Sequence, residues 1–200
     1  MRIAFFGCTF DPPHTGHLEL ARHILKQGKA DRILFVPAYD PPHKLGQKIS
    51  SFADRYAMLE LLVADDPDIM ISDIELRAAL KPSYSVKILK LLEKEFPDDT
   101  LQLLIGGDSL EALHTWYKAK ELVAQYEIIC YPRKGYKVDR ESLLKHWTAK
   151  EIDVLLRTVL QMPFFDISST SVRNNITDKT VSKNIKENIL KYIKDKGLYL

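Results

Sequence analysis

Residues 2–37 read RIAFFGCTFDPPHTGHLELARHILKQGKADRILFVP, and how this stretch is parsed decides the fold. The apolar run at 2–7 is short, continuous and closed by Gly7, as expected of a strand buried on both faces. Between 16 and 27, Leu18, Leu20, Ala21, Ile24 and Leu25 fall close to one helical face, and Gly28 stops the helix. Arg32–Pro37 (RILFVP) is a second buried strand, closed by a proline that cannot donate to a ladder. Strand, loop, helix and strand in succession predict a βαβ unit.

The alternation continues outward from there. A helix is predicted at 54–64, with Met58, Leu59, Leu62 and Val63 inward. A strand follows at 69–74, then a helix at 83–96 with a serine cap, a strand at 101–106 (LQLLIG) and a short helix at 108–114. Glu127–Tyr131 is another strand. Thr148-Ala149-Lys150-Glu151 has the spacing of a capping box, which predicts a helix to about 157. Residues 158–162 read as a further strand, and 184–196 as a last amphipathic helix ended by Gly197. Together these predict an α/β fold: a Rossmann-like, doubly wound parallel sheet with helices on both faces. One domain over residues 1–200 is expected, with a small helical part at about 168–200.

Composition sets outer bounds. Apolar residues make up 46% of the chain and charged residues 28%, as in ordinary soluble globular proteins. The net charge of +2 is too small to argue for nucleic acid or an anionic membrane as a partner. Two cysteines, Cys8 and Cys130, make no disulfide framework. No run of about 18 apolar residues occurs, and no signal-peptide pattern precedes the first strand, so a cytoplasmic protein is expected. Monomer and homo-oligomer both remain open.

In sheets of this kind, ligands bind beyond the C-terminal ends of the strands. The segments there are 7–17, 37–45, 106–109 and 131–135. Asp-Pro-Pro-His occurs twice on this rim, at 11–14 and 40–43, and the copies share only those four residues. In the first, a strand ends at Gly7 and a helix begins near Gly16, which makes a phosphate site by geometry. Neither GxGxxG nor GxxxxGK[ST] is present. Instead the loop ends His14-Thr15-Gly16-His17. Two imidazoles three residues apart can converge on one oxyanion, with Gly16 leaving room for it. A capped helix with two surface histidines, or half a zinc site with no third ligand near in sequence, are the alternatives. Ser169-Thr170 reads as a helix cap with Arg173 on the first turn after it, a second anion site. Asp108 is placed for ribose hydroxyls or as a helix N-cap. Trp116 stacks on an aromatic ligand or packs in the core. His23 and His114 read as helix-surface or packing residues, His146-Trp147 as a packing pair, and Cys130 as a small core residue.

The stretch GCTFDPPHTGHL at 7–18 resembles the N-terminal motif of the HxGH nucleotidyltransferases, and within them the bacterial nicotinate-nucleotide adenylyltransferases, whose form is GGTFDPxHxGHL. Further matches follow in order: PPHK at 41–44, PSYS at 82–85 for PSYT, IGGDS at 105–109 for IGxDS, Trp116-Tyr117, ISSTSVR at 167–173 for ISSTxIR, and the GLY ending at 197–199. Three departures stand out. Cys8 replaces a glycine and would be strained at a positive φ. Ser85 replaces threonine but keeps the hydroxyl. Arg133-Lys134-Gly135 replaces Arg-Pro-Gly.

The resemblance implies transfer of AMP from ATP to nicotinate mononucleotide, with Mg²⁺ bridging phosphate oxygens. By it, His14 and His17 hold the α-phosphate, while Arg173, Ser168, Ser169 and Thr170 take the β- and γ-phosphates with help from Arg133. Gly7, Thr9, Phe10, Gly16, Gly106 and Asp108 complete the ATP site. Lys44 and His43 line the phosphate channel, although His43 also reads as a plain surface residue. Trp116, Tyr117 and Ser85 frame the nicotinate ring and its carboxylate. The attacking phosphate monoester is already a dianion near neutral pH, its second pKa being about 6, so no general base is needed. An enzyme preferring nicotinamide mononucleotide, or a non-catalytic nucleotide-binding protein on this fold, are the competing expectations. Cys8, beside a helix N-terminus, is expected to be alkylatable.

Overall fold

The computed structural model describes residues 1–41, 44, 46, 48–165, 167–176 and 183–199. Five parallel strands form one sheet in the order β3-β2-β1-β4-β5: β1 Arg2–Cys8, β2 Arg32–Pro37, β3 Ile69–Ile71, β4 Thr100–Gly106 and β5 Glu127–Tyr131. The order reverses between β1 and β4, whose register pairs Ile3 with Leu101 and Phe5 with Leu103. A crevice opens at that reversal, beyond the strand ends.

Successive residues of each strand enter opposite cores, as the two-residue period of a strand requires. Ile3, Phe5, Leu34, Val36, Leu103, Ile105 and Ile128 face one layer, with α3 (Ile74–Arg77), α4 (Ser85–Glu95), α5 (Gly107–Ala112), α6 (Ala119–Gln125), α7 (Arg140–Leu143) and α8 (Ala149–Arg157). Ala4, Phe6, Ile33, Phe35, Leu104 and Ile129 face the other, with α1 (Thr15–Lys26), α2 (Phe52–Val63), α9 (Ser169–Asn174) and α10 (Glu187–Lys196). Burial on both faces explains why the strands carry continuous apolar runs. The doubly wound α/β reading is therefore correct.

Several local expectations hold. Gly28 stops α1 and Gly197 caps α10, at φ 62° and 61°. The Thr148–Glu151 box caps α8 in both directions, with Thr148 N–H donating to Glu151 Oε2 at 2.7 Å. Cys130 and Trp147 are buried. Others shift. The strand expected at 69–74 ends at Ile71, and α3 begins where it was to continue. The segment 158–162 forms a single parallel bridge, Val159 to Cys130, rather than a strand; Pro163, which has no N–H, follows directly. The expected serine cap of α4 is Tyr84, because the Ser83 hydroxyl donates to the Glu75 carboxylate. Among the described residues α6 and α7 also form, neither of which the sequence pattern indicates.

Candidate active site

The strand ends at the sheet reversal frame a cleft of about 410 Å³. Gly7, Cys8 and Thr9 line it from β1, Lys44 from the loop after β2, Gly106 and Arg133 from the loops after β4 and β5, and Ser85, Trp116 and Tyr117 from the far end. Nine sequence-predicted residues and regions thus meet in one place although they are drawn from the length of the chain. His43 lies outside the described residues.

The first Asp-Pro-Pro-His corner forms one wall, and almost none of it is exposed. Asp11, 2% exposed, accepts from the Tyr199 hydroxyl at 2.5 Å and from Ser50 N–H at 3.3 Å. Arg55, also 2% exposed, donates to the carbonyls of Thr9 at 2.7 Å and Ser50 at 3.1 Å. These contacts hold Phe10 at φ 52°, a left-handed backbone that costs a non-glycine residue about 1 kcal/mol or more. The Phe10 ring turns into the core against Phe35 and His17, so only its backbone can face a nucleotide. Cys8 is not among the positive-φ residues; it closes β1 in extended form, and the strain expected there falls on Phe10 instead.

The late motif docks directly on this wall. Ser169 Oγ donates to the Pro12 carbonyl at 2.9 Å, and Arg173 donates to the Asp11 carbonyl at 2.5 Å and to Thr170 Oγ1 at 3.2 Å. The cap of α9 is Ser168, accepting from Ser171 N–H at 3.1 Å. That is one residue earlier than the sequence suggested, because Ser169 spends its hydroxyl on Pro12. Residues 157 or more positions apart thereby form one surface.

His14 is the N-cap of α1, and its ring stacks on that of His17 with centroids 3.7 Å apart. His14 N–H donates to His17 Nδ1 at 3.2 Å. A neutral His17 therefore carries its proton on Nε2, the nitrogen 3.9 Å from Cys8 Sγ at the cleft. Nδ1 of His14 is buried with no hydrogen-bond partner among the described residues. Burial, with the nearby Arg133 charge adding to it, lowers the His14 pKa to about 3. Burial first, then His14 and Arg133, keep His17 well below the usual histidine value. The pair is thus neutral in the free protein, because burial in a tight loop disfavours the charged imidazolium. A Cβ on Gly16 would stand 3.1 Å from His14 Nδ1 and 3.1 Å from Ile167, so only glycine leaves this approach open.

Asp108 is not the N-cap of α5; Gly106 is. Asp108 Oδ2 accepts from Arg133 at 3.2 Å, while Oδ1 is buried without a partner among the described residues. Arg133 thus pairs with Asp108 while its charge also reaches the histidine pair. Sequence reading missed Arg55, Glu75, Tyr84 and Tyr199. Glu75, 1% exposed, lines the cleft and accepts from Tyr39 N–H at 2.8 Å and from the Ser83 hydroxyl, which ties the loop after β2 to the loop before α4. Burial raises its pKa. Among the described residues, no three His, Cys, Asp or Glu side chains gather into a metal-binding group, and no helix is long and apolar enough to cross a membrane.

Residues 5–175 match the cytidylyltransferase-like family. The chain is 35% identical over 204 residues to a Caldicellulosiruptor bescii protein named "Probable nicotinate-nucleotide adenylyltransferase", covering 100% of this chain and 99% of that one. It is 33% identical over 199 residues to the nicotinate-nucleotide adenylyltransferase of Bacillus subtilis, covering 99% and 98%. Plasmodium falciparum nicotinic acid mononucleotide adenylyltransferase, solved in complex with NaAD, aligns with a TM-score of 0.78 at 19% identity over 99% of this chain and 97% of that one, a likeness of fold. An end-to-end match at this identity, with the early and late motifs packed against each other, makes the chain a member of the cytidylyltransferase-like family, in its nicotinate-nucleotide adenylyltransferase branch.

Proposed function

We propose that this protein transfers AMP from ATP to nicotinate mononucleotide, giving nicotinate adenine dinucleotide and pyrophosphate, a step of NAD biosynthesis, in the cytoplasm and on a single nucleotidyltransferase domain. The relatives' names support the reaction. The observation that supports the assignment of roles is the direct docking of residues 169–173 on residues 11–12, which brings the two motifs close enough to act on one triphosphate.

In the reaction, an oxygen of the nicotinate mononucleotide phosphate attacks the α-phosphorus of ATP. The bond from that phosphorus to the α–β bridging oxygen breaks, and pyrophosphate leaves. The attacker is already ionised, so the protein has to align the reactants and stabilise charge. His17 donates Nε2–H to an α-phosphate oxygen, and His14 satisfies its unpartnered nitrogen on the same group. Two neutral donors in a dry loop are pre-organised for the charge that builds there. Arg173, Arg133 and the hydroxyls of Ser168, Ser169 and Thr170 take the β- and γ-phosphates. Asp108 Oδ1 accepts from a ribose hydroxyl of ATP. A divalent cation such as Mg²⁺, if bound together with ATP, would supply neutralisation of phosphate charge, and the described residues of this chain offer no carboxylate or histidine cluster of their own for it. Lys44 faces the phosphate of the mononucleotide, and Trp116, Tyr117 and Ser85 surround its pyridine ring.

Pyrophosphate release, measured with ATP and either nicotinate or nicotinamide mononucleotide, tests the proposal. A higher kcat/KM for the nicotinate compound is expected. A clear advantage for the amide, or no pyrophosphate with either, refutes it.

A further inference from the structure

The pyridine end of the cleft carries a positive charge that the reaction as described leaves unused. Tyr84 and Tyr117 both line the cleft, and their rings stack with centroids 4.6 Å apart and planes 17° from parallel. Lys87, in the first turn of α4, holds its ammonium 5.3 Å from the Tyr84 ring centre and 5.6 Å from that of Tyr117. Contacts of this kind fix a cation over an aromatic face. The neighbouring lysines are committed elsewhere: Lys90 and Lys118 both bind Glu121, Lys118 at 2.9 Å. Lys87 has no carboxylate partner among the described residues. Glu75, the acidic side chain lining the cleft, is buried and spends its carboxylate on Tyr39 and Ser83.

Lys87 does not itself line the cleft, but its exposed ammonium stands within 5.6 Å of the centres of two rings that do, and an uncompensated cation so placed raises the local concentration of anions. Placed at the pyridine end, it also separates a carboxylate from a carboxamide on the ring. Its position on the rim keeps it screened by salt, so its effect belongs to capture of substrate and not to the chemical step. We propose that Lys87 is a specificity-determining residue, held over the Tyr84–Tyr117 pair so that it draws in the acid form of the pyridine mononucleotide in preference to the amide. This inference rests on the substrate reading above.

The test is kcat/KM for nicotinate and nicotinamide mononucleotides in the wild type, Lys87→Ala, Lys87→Glu and a control, Lys94→Glu. Lys94 is exposed and lies two turns further along the same helix, so its reversal changes net charge equally but away from the cleft. With the acid substrate, Lys87→Ala should lose about threefold and Lys87→Glu about tenfold, as expected of an exposed charge pair. The loss should lie in KM with kcat held, and should shrink in 0.5 M salt. The amide value should fall by less, so that the acid-to-amide ratio drops about threefold in Lys87→Glu, while Lys94→Glu stays near wild type. A wild type that prefers the amide overturns the substrate reading and this inference with it. An acid-preferring wild type whose ratio survives Lys87→Glu, or falls equally in Lys94→Glu, overturns this inference alone.

Discussion

The two Asp-Pro-Pro-His corners are the same four residues with different fates. In the first, every residue is buried: Asp11 receives Tyr199 and Ser50, its carbonyl receives Arg173, the Pro12 carbonyl receives Ser169, and His14 opens α1. In the second, Asp40 and Pro41 are half-exposed, and Asp40 uses only its backbone among the described contacts, its N–H donating to Ser83 Oγ at 3.0 Å and its carbonyl accepting from Ser83 N–H at 3.1 Å. A tetrapeptide does not fix a corner. What fixes the first is arrival of side chains from α2, α9 and the C-terminal turn, each satisfying a polar group that burial would otherwise penalise. On the proposed reading, the first copy holds a rigid anion site, while the described half of the second, Asp40 and Pro41, stays partly open to solvent.

Replacing each aspartate breaks or sustains this contrast most sharply. Asp11→Ala strands the Tyr199 hydroxyl and removes the negative charge that most favours the buried Arg55 guanidinium, and should cost about 3 kcal/mol of stability. Asp40→Ala should cost less than about 0.5 kcal/mol. Urea unfolding of both variants decides it, and equal losses would dissolve the distinction.

The next largest effect is on pH. The folded pKa of His14 lies at about 3 against 6.5 for an unperturbed imidazole, so the unfolded chain takes up this proton first as pH falls. Stability from this group is complete above about pH 6.5 and is lost progressively toward pH 3. From pH 7 to pH 5 the wild type should lose on the order of 2 kcal/mol more than His14→Asn, measured by urea unfolding at both pH values. A parallel fall in the two proteins would mean that the first corner tolerates a charged imidazole. The smallest effect is expected at the second corner. Lys44→Ala should raise KM for nicotinate mononucleotide about fivefold and leave kcat within about twofold. A larger fall in kcat than rise in KM would place that corner in the chemical step and erase the contrast.

Much of the first region was legible in the sequence, because its signals are local. The apolar run of β1, the periodicity of α1, the Gly28 stop and the His14–His17 spacing each sit within a few residues. The Thr148–Glu151 box was legible for the same reason. What could not be read was set by contacts between distant residues. Arg55 is an ordinary charged position in α2 until Thr9 and Ser50 close over it. Glu75 lies in a four-residue helix, too short to show a period, and its role depends on Tyr39 and Ser83. The positive φ of Phe10 and the neutrality of the histidines are consequences of packing, which no residue type announces. At the far end of the cleft, Trp116 and Tyr117 could be given roles from the resemblance, whereas Tyr84 entered only as a letter of the PSYS stretch and Lys87 lay outside every motif.

The central claim is that the buried first corner and α9 grip one triphosphate together, with neutral histidine donors at its innermost phosphorus. Pyrophosphate release at saturating ATP and nicotinate mononucleotide, measured for His17→Ala and Arg173→Ala alongside their melting temperatures, tests it most directly. The account predicts that each folded variant loses at least about a hundredfold in kcat, the size expected when a donor to developing charge is removed. A folded His17→Ala or Arg173→Ala enzyme turning over within about twofold of the wild type would contradict it.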